Sequence, residues 1–213
     1  MSLAVECRLL NQAVDFGLEV QITGQHRWQD VEETRLVDLA RSGEIRAFEE
    51  LVRRHRNNVF ALAYHFVRNR EDAWDIAQEV FVKAYRSLKR FRGDSSFKTW
   101  LMRITSNQCK DHIKAARLKT VSLEAAPAGE DGGGDQSPRQ QAEAKELGAA
   151  ILQAIETIPF KHRQAFILRE FERLSYKEMA KIMGCSIGTV MSRLHHARRK
   201  IREALVRKGV LLE

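Results

Sequence analysis

The densest set of hydrogen-bond donors in this chain lies near its C-terminal end. Thr189, Ser192, Arg193, His195, His196 and Arg199 carry hydroxyls, imidazoles and guanidiniums at close helical spacing. At about 100° per residue, Gly188, Ser192, His195, His196 and Arg199 fall opposite an apolar stripe of Ile187, Val190, Leu194, Ala197, Ile201 and Leu205, with Thr189 and Arg193 flanking that polar face. Such donors on one helix face suit the base edges of a major groove, and the helix N-terminus with its bases suits phosphates. The plainer alternative is a packing helix whose polar side is only solvated. A second set runs through Leu88–Trp100, where Phe91, Arg92, Asp94, Ser95, Phe97 and Lys98 precede a basic helix carrying Arg103, Asn107 and Lys110. Loop aromatics beside cations can hold single-stranded or extruded bases. Phe91, Phe97 and above all Trp100 also suit a core. A third set, Asp72, Asp75, Gln78, Glu79 and Val82, shares the outer face of one helix. Dipole complementarity accounts for acids in a first helical turn. Gln78, Glu79 and Val82 lie beyond that turn, and an outward apolar residue among acids fits a protein-binding face.

Other chemistries find little footing. His195 and His196 are adjacent, so on a helix they point about 100° apart, and no third ligand stands at metal spacing. Cys7, Cys109 and Cys185 form neither a disulfide framework nor a CxxC pair. There is no nucleophile–base constellation and no phosphate-cradling glycine loop, so the expectation is a non-enzyme without metal or cofactor. No run approaches the roughly 18 apolar residues of a membrane span, and Glu6 and Asp15 interrupt the N-terminal apolar runs, so no signal peptide is expected. Composition therefore points to a reduced, cytoplasmic protein with no membrane insertion of its own.

The elements that must carry these residues read as helices throughout. Thr34–Arg41 is a short helix before Gly43. Phe48, Leu51, Val52, His55, Val59, Leu62, Ala63 and Phe66 make an amphipathic stripe, and Ala73, Ala77, Val80, Ala84 and Leu88 make the next. A fourth helix runs from about Phe97 to Ala116. After it, Leu147, Ile151, Ile155 and Ile158 precede a break at Pro159, and Phe166, Ile167, Leu168 and Phe171 follow. Ser175 and Glu178 have capping-box spacing, Tyr176, Met179, Ala180 and Met183 share a face, and Gly184 supplies a turn before the donor-bearing helix. No segment alternates with period two, so no sheet is expected. The prediction is an all-α fold of two small helical domains joined by a flexible linker.

Charge and composition set the boundaries. The net charge is +8, yet Arg86–Lys119 holds ten basic residues against two acids and Thr189–Lys208 holds seven against one. These blocks carry +8 and +6, so the remainder nets −6. Two polyanion contacts account for this split better than general solubility does. Residues 125–141 hold two of the three prolines and no large apolar side chain, too little to offset ordering entropy. The expected organisation is an acidic N-terminal extension at 1–33, a helical domain at 34–118, a linker at 119–141, a helix-turn-helix domain at 142–208 and a tail at 209–213. Three readings of the extension stay open: a shield over a basic DNA face, an unstructured arm, or a segment that is not translated.

Three motifs in this order resemble the bacterial extracytoplasmic-function (ECF) sigma factors, which are specificity subunits of RNA polymerase. The resemblance rests on Arg70–Tyr85, on Phe91–Ile104 with Asn107, and on Leu174–Ala180 with Gly188–Arg193, and it covers about residues 34–208. It implies a region-two bundle and a region-four helix-turn-helix. Asp75, Gln78, Glu79 and Val82 would then dock on the clamp helices of core RNA polymerase. Phe91, Arg92, Asp94, Ser95, Lys98, Arg103, Asn107 and Lys110 would capture the unwound minus-ten element of promoter DNA, with one base extruded beside Asn107. Thr189, Ser192, Arg193, His195, His196 and Arg199 would read the minus-thirty-five duplex. The resemblance also implies a stress or envelope regulon and a cognate anti-sigma factor. Met191 and His196 depart from it, since related proteins often carry arginine there. The rival reading is a stand-alone helix-turn-helix regulator, which would need neither the acidic-Gln face nor the Phe91–Trp100 loop.

Overall fold

The computed structural model describes residues 28–120, 148 and 150–209. Residues 121–141 of the expected linker and most of the N-terminal extension lie outside the described residues, while residues 119–120 continue the last helix of the first unit. Helices and turns are the whole of the described secondary structure, and the chain divides between Arg117 and Leu118 into two compact units. No helix among the described residues is long and apolar enough to cross a membrane.

The first unit contains α1 (Glu33–Arg41), α2 (Ile45–Val67), α3 (Arg70–Ser87) and α4 (Phe97–Thr120). Short 3-10 turns at Trp28–Asp30 and Leu88–Arg90 complete it. The apolar stripes read from the sequence converge: Leu36, Leu51, Leu62, Phe66, Ile76, Val80, Leu101 and Met102 are all essentially inaccessible. Burying side chains of this size stabilises by about 1.5–3 kcal/mol each. The sharp reversal between α2 and α3 has a local cause. Arg68 adopts a left-handed conformation (φ 59°), its amide donates to the Tyr64 carbonyl at 2.9 Å, and its guanidinium lies 4.9 Å from the Tyr64 ring. Asn69 then caps α3 by accepting from the Asp72 amide at 3.0 Å.

The folded unit reaches back before residue 33, where the charge pattern alone sets its start. Arg54 Nη2 donates to the carbonyls of Trp28, Gln29 and Val31 at 3.0, 2.9 and 2.8 Å, while its Nε donates to buried Glu50 at 2.8 Å. Glu50 also accepts two bonds from Arg53, both 2.7 Å. Desolvation alone would raise the Glu50 pKa, yet these bonds together hold it below the ordinary value. Glu33 in the first turn of α1 bonds His55 Nε2 at 2.9 Å. These contacts seat the segment just before α1 on the flank of α2.

The second unit comprises α5 (150–157), α6 (Phe160–Glu170), α7 (Tyr176–Met183) and α8 (Ile187–Arg207). Pro159 sits at the N-cap of α6, where its missing N–H costs nothing. The capping box forms as its spacing predicts. The Glu178 amide donates to Ser175 Oγ at 3.3 Å, and Glu178 Oε2 accepts from the Ser175 amide at 2.9 Å. Gly184 ends α7 at φ 61°, left-handed as the tight turn requires. Ala154, Ile155 and Ile158 pack with Ala197, Ile201, Ala204 and Leu205 in one cluster. Two details differ from the stripe reading. Ile182 is buried on α7 although it was not assigned to the inner face, and Ile187 is 40% exposed because it opens α8 beyond the reach of the core.

Candidate nucleic-acid interface

The basic helix α4 has two unlike sides, one buried and one exposed. Leu101, Met102, Thr105, Ser106 and Cys109 face the core, and Thr105 returns its hydroxyl to the Leu101 carbonyl at 2.9 Å. Arg103, Asn107, Lys110 and Lys114, at spacings of four, three and four, are exposed in one row. Ser96 caps the helix, accepting from the Thr99 amide at 3.1 Å. The loop before it turns through Gly93 at φ 78°, a conformation that glycine adopts without strain. Arg92 and Asp94 are exposed on this loop, and Ser95 and Lys98 are half-buried. Loop and helix thus present guanidinium, amide and ammonium groups together.

Phe91 is the buried member of the set expected to capture the minus-ten element. Its ring is 8% exposed, with centroids 6.1 Å from Phe97 and 5.0 Å from Trp100. Phe97 and Trp100 lie 5.6 Å apart, so all three rings close one aromatic cluster. Their burial pins the loop to the bundle. The groups exposed around them are polar.

Asp75, Gln78, Glu79 and Val82 share one face of α3, with Asp75 and Glu79 exposed and Gln78 and Val82 half-buried. Sequence reasoning missed Gln108 of α4, which donates to the Glu79 carboxylate and accepts from Lys83. His112 likewise approaches Asp72 at 3.4 Å. The acidic face of α3 is therefore tied to the side of α4 that the basic row does not use. No spacing within α3 could signal this, because Gln108 lies 25 residues after Lys83 and 29 after Glu79, and His112 lies further still from Asp72.

In the second unit the six residues expected to read a duplex separate into two groups. Ser192, His195 and Arg199 are exposed on α8, while Thr189, Arg193 and His196 are half-buried. Ser186 caps α8, accepting from the Thr189 amide at 3.2 Å, and its hydroxyl lies 2.9 Å from that of Thr189. Arg193 leans on the turn, with Nη1 donating to Cys185 Sγ at 3.6 Å. The His196 ring packs 5.8 Å from His162 of α6. His162 is held below its ordinary pKa by desolvation first, then by the neighbouring His196, Arg193 and Lys200. Arg198 is tied to Glu170 of α6 at 2.5 Å, whereas Arg199, 58% exposed, is paired among the described residues only within α8, with Glu203 at 3.6 Å and with His196 Nδ1 at 3.5 Å. No cluster of three His, Cys, Asp or Glu able to hold a metal occurs among the described residues.

Comparison with known proteins places both units. Residues 51–118 match the model of sigma-70 region 2, and residues 148–201 match that of sigma-70 region 4. The chain is 40% identical over 181 residues to the RNA polymerase sigma-H factor of Pseudomonas aeruginosa, covering 82% of this chain and 94% of that relative. It is 39% identical over 173 residues to the ECF RNA polymerase sigma-E factor of Escherichia coli, covering 78% of this chain and 90% of the relative. Among solved structures it resembles CnrH in complex with the cytosolic domain of CnrY, with a TM-score of 0.61 and 26% identity over 82% of this chain and 97% of that one. A similar fold occurs in the sigma factor RpoE in complex with the anti-sigma factor NepR from Bartonella quintana, with a TM-score of 0.58 and 24% identity, covering 74% of this chain and 96% of that one.

Proposed function

The chain belongs to the sigma-70 family of RNA polymerase sigma factors, in its ECF class, and on that premise we propose how its surfaces share promoter recognition. The observation that carries the division is the two-sidedness of α4, whose exposed Arg103–Asn107–Lys110 row lies opposite its core side while Gln108 ties it to the acidic face of α3. The α3 face, with Asp75, Gln78, Glu79 and Val82, docks on core RNA polymerase. The loop and basic row, with Arg92, Asp94, Ser95, Lys98, Arg103, Asn107 and Lys110, capture the minus-ten element as a separated strand. Extruding a base costs a few kcal/mol, and contacts from the loop and from Asn107 offset it. Phe91 contributes by fixing the loop. In the second unit, α8 enters the major groove of the minus-thirty-five duplex with Ser192, His195 and Arg199, supported by Thr189, Arg193 and His196 from its flanks.

The domain boundaries follow the same division: a region-two unit over about 34–118 with the 28–33 segment seated on it, a linker up to about residue 141 that begins where α4 ends, and a region-four unit at 142–208. The protein acts in the cytoplasm with the polymerase, contributes binding energy and no bond chemistry, and is held in check by an anti-sigma partner. A stand-alone helix-turn-helix regulator accounts for α7 and α8 but gives no use to the acidic face of α3 or the basic row of α4. Reconstitution decides between them. Mixed with bacterial core polymerase, the full chain forms a complex in gel filtration and directs specific run-off transcripts. Absence of both would overturn the sigma-factor assignment of these surfaces, and transcription that survives Asp75→Arg with Glu79→Arg would overturn the docking face.

A further inference from the structure

The exposed side of α8 is not wholly polar. Met191 is 52% exposed and Ile187, one turn earlier, is 40% exposed, two of the four large apolar side chains exposed among the described residues. Both belong to the first two turns of α8, the part of a reading helix that contacts base edges. They lie at i and i+4, and Met191 adjoins Ser192 and stands one turn before His195, so the strip runs along the donor face. Gly188, between them, has open space around it. A Cβ built there would meet nothing nearer than Ser186 Oγ at 3.9 Å, and the backbone is not left-handed. Nothing in the protein needs a glycine at that position, although glycine in a helix costs up to about 1 kcal/mol relative to alanine. The small residue leaves room beside Met191 for something outside the chain to approach the helix. The basic residues Arg193, Arg198, Arg199 and Lys200 on the same helix make that approach favourable for DNA.

A thioether and a sec-butyl group cannot pair with the amino or carbonyl groups of a base edge. In the major groove the one apolar feature of an unmodified base pair is the C5 methyl of thymine. We propose that Met191, backed by Ile187, is a specificity residue that reads a thymine methyl in the minus-thirty-five duplex. The unbranched side chain can follow the methyl as the helix settles in the groove. The gain is the removal of one methyl group and part of a side chain from water. This inference rests on the assignment of α8 as the duplex-reading helix.

The test uses the full chain assembled with bacterial core polymerase. Duplexes randomised upstream of the minus-ten region are selected for binding, and each thymine of the enriched element is then replaced singly by deoxyuridine, which removes only the methyl. At one or two positions the replacement weakens wild-type binding by about three- to fivefold. Met191→Ala binds the thymine duplex about as weakly as the wild type binds the deoxyuridine one, and it no longer distinguishes the two. Met191→Arg, selected again, enriches guanine at the affected position. Because Met191 is exposed, both variants keep the fold, which their circular dichroism verifies. An enriched element with no methyl sensitivity, or a sensitivity that persists in Met191→Ala, overturns the role of Met191 and leaves duplex reading standing. Failure to enrich any upstream sequence overturns duplex reading itself.

Discussion

Three histidines hold the clearest residue-scale consequence. His55, His65 and His162 are all held below the ordinary value of 6.5, with desolvation the largest cause in each. Glu33 opposes the shift at His55, while Lys98 and Arg54 add to it. Arg68 adds to it at His65. The fold therefore favours the neutral imidazole. Above about pH 6.5 the folded and unfolded chains are both neutral at these sites, and no stability depends on them. Below it the unfolded chain takes up protons more readily, so stability falls as the pH falls. Calorimetry between pH 7 and pH 5.5 should show the melting midpoint dropping, with a shallower drop in His55→Gln. Glu49, whose pKa is raised chiefly by desolvation, acts in the opposite sense, since the folded chain holds its proton more readily than the unfolded one. A midpoint that stays level or rises across the window would show that these rings are not neutral in the fold.

Elements carry the next prediction, because Arg54 joins two of them. Its guanidinium accounts for three carbonyls of the segment before α1 and one carboxylate oxygen of buried Glu50. Arg54→Ala removes a charged donor from all four and leaves Glu50 with Arg53 alone, at a cost of about 2–4 kcal/mol in chemical denaturation. It should also expose the Trp28–Asp30 turn to protease. A variant as stable as the parent, with that turn still protected, would mean the contacts are incidental. Nothing in the sequence near Arg54 announces this role, since its carbonyl partners lie 23 to 26 residues earlier. The contrast with α7 is instructive. Its capping box is legible because Ser175 and Glu178 complete it within one turn. Helix positions and most of the inner stripe of α8 were legible for the same reason, since helical periodicity is local. Loop residues were not. Phe91 carried the composition of a stacking residue, and only the convergence of Phe97 and Trp100 decides that it is core. Met191 stands out in the sequence only as a departure from the arginine common in related proteins, and its exposure is visible only in the folded unit.

At the scale of the molecule the charge split acquires a physical meaning. A net +8 is the remainder of two basic blocks on an otherwise acidic chain, and the blocks fall in separate compact units, one on α4 and its loop and the other on α8. Each unit has its own buried core, the first around Leu51, Phe66 and Leu101 and the second around Ile155, Ala197 and Ile201. Each should therefore stay folded when parted from the other. What the covalent connection adds is effective concentration. Once one unit is bound, the second meets its site as an intramolecular partner, and joint affinity can exceed that of either unit by about 10²–10⁴. A protease site introduced within 125–141 makes this measurable. After cleavage both fragments should keep their helical circular dichroism and melt cooperatively. Assembly of the two on polymerase and promoter should weaken by about 10²-fold or more. Raised salt should weaken each fragment's DNA contact with a shallower slope than the intact chain, because each fragment neutralises fewer phosphates. Cleaved protein that binds as tightly as intact protein would mean that one unit supplies the affinity, and the second basic block would then need another partner.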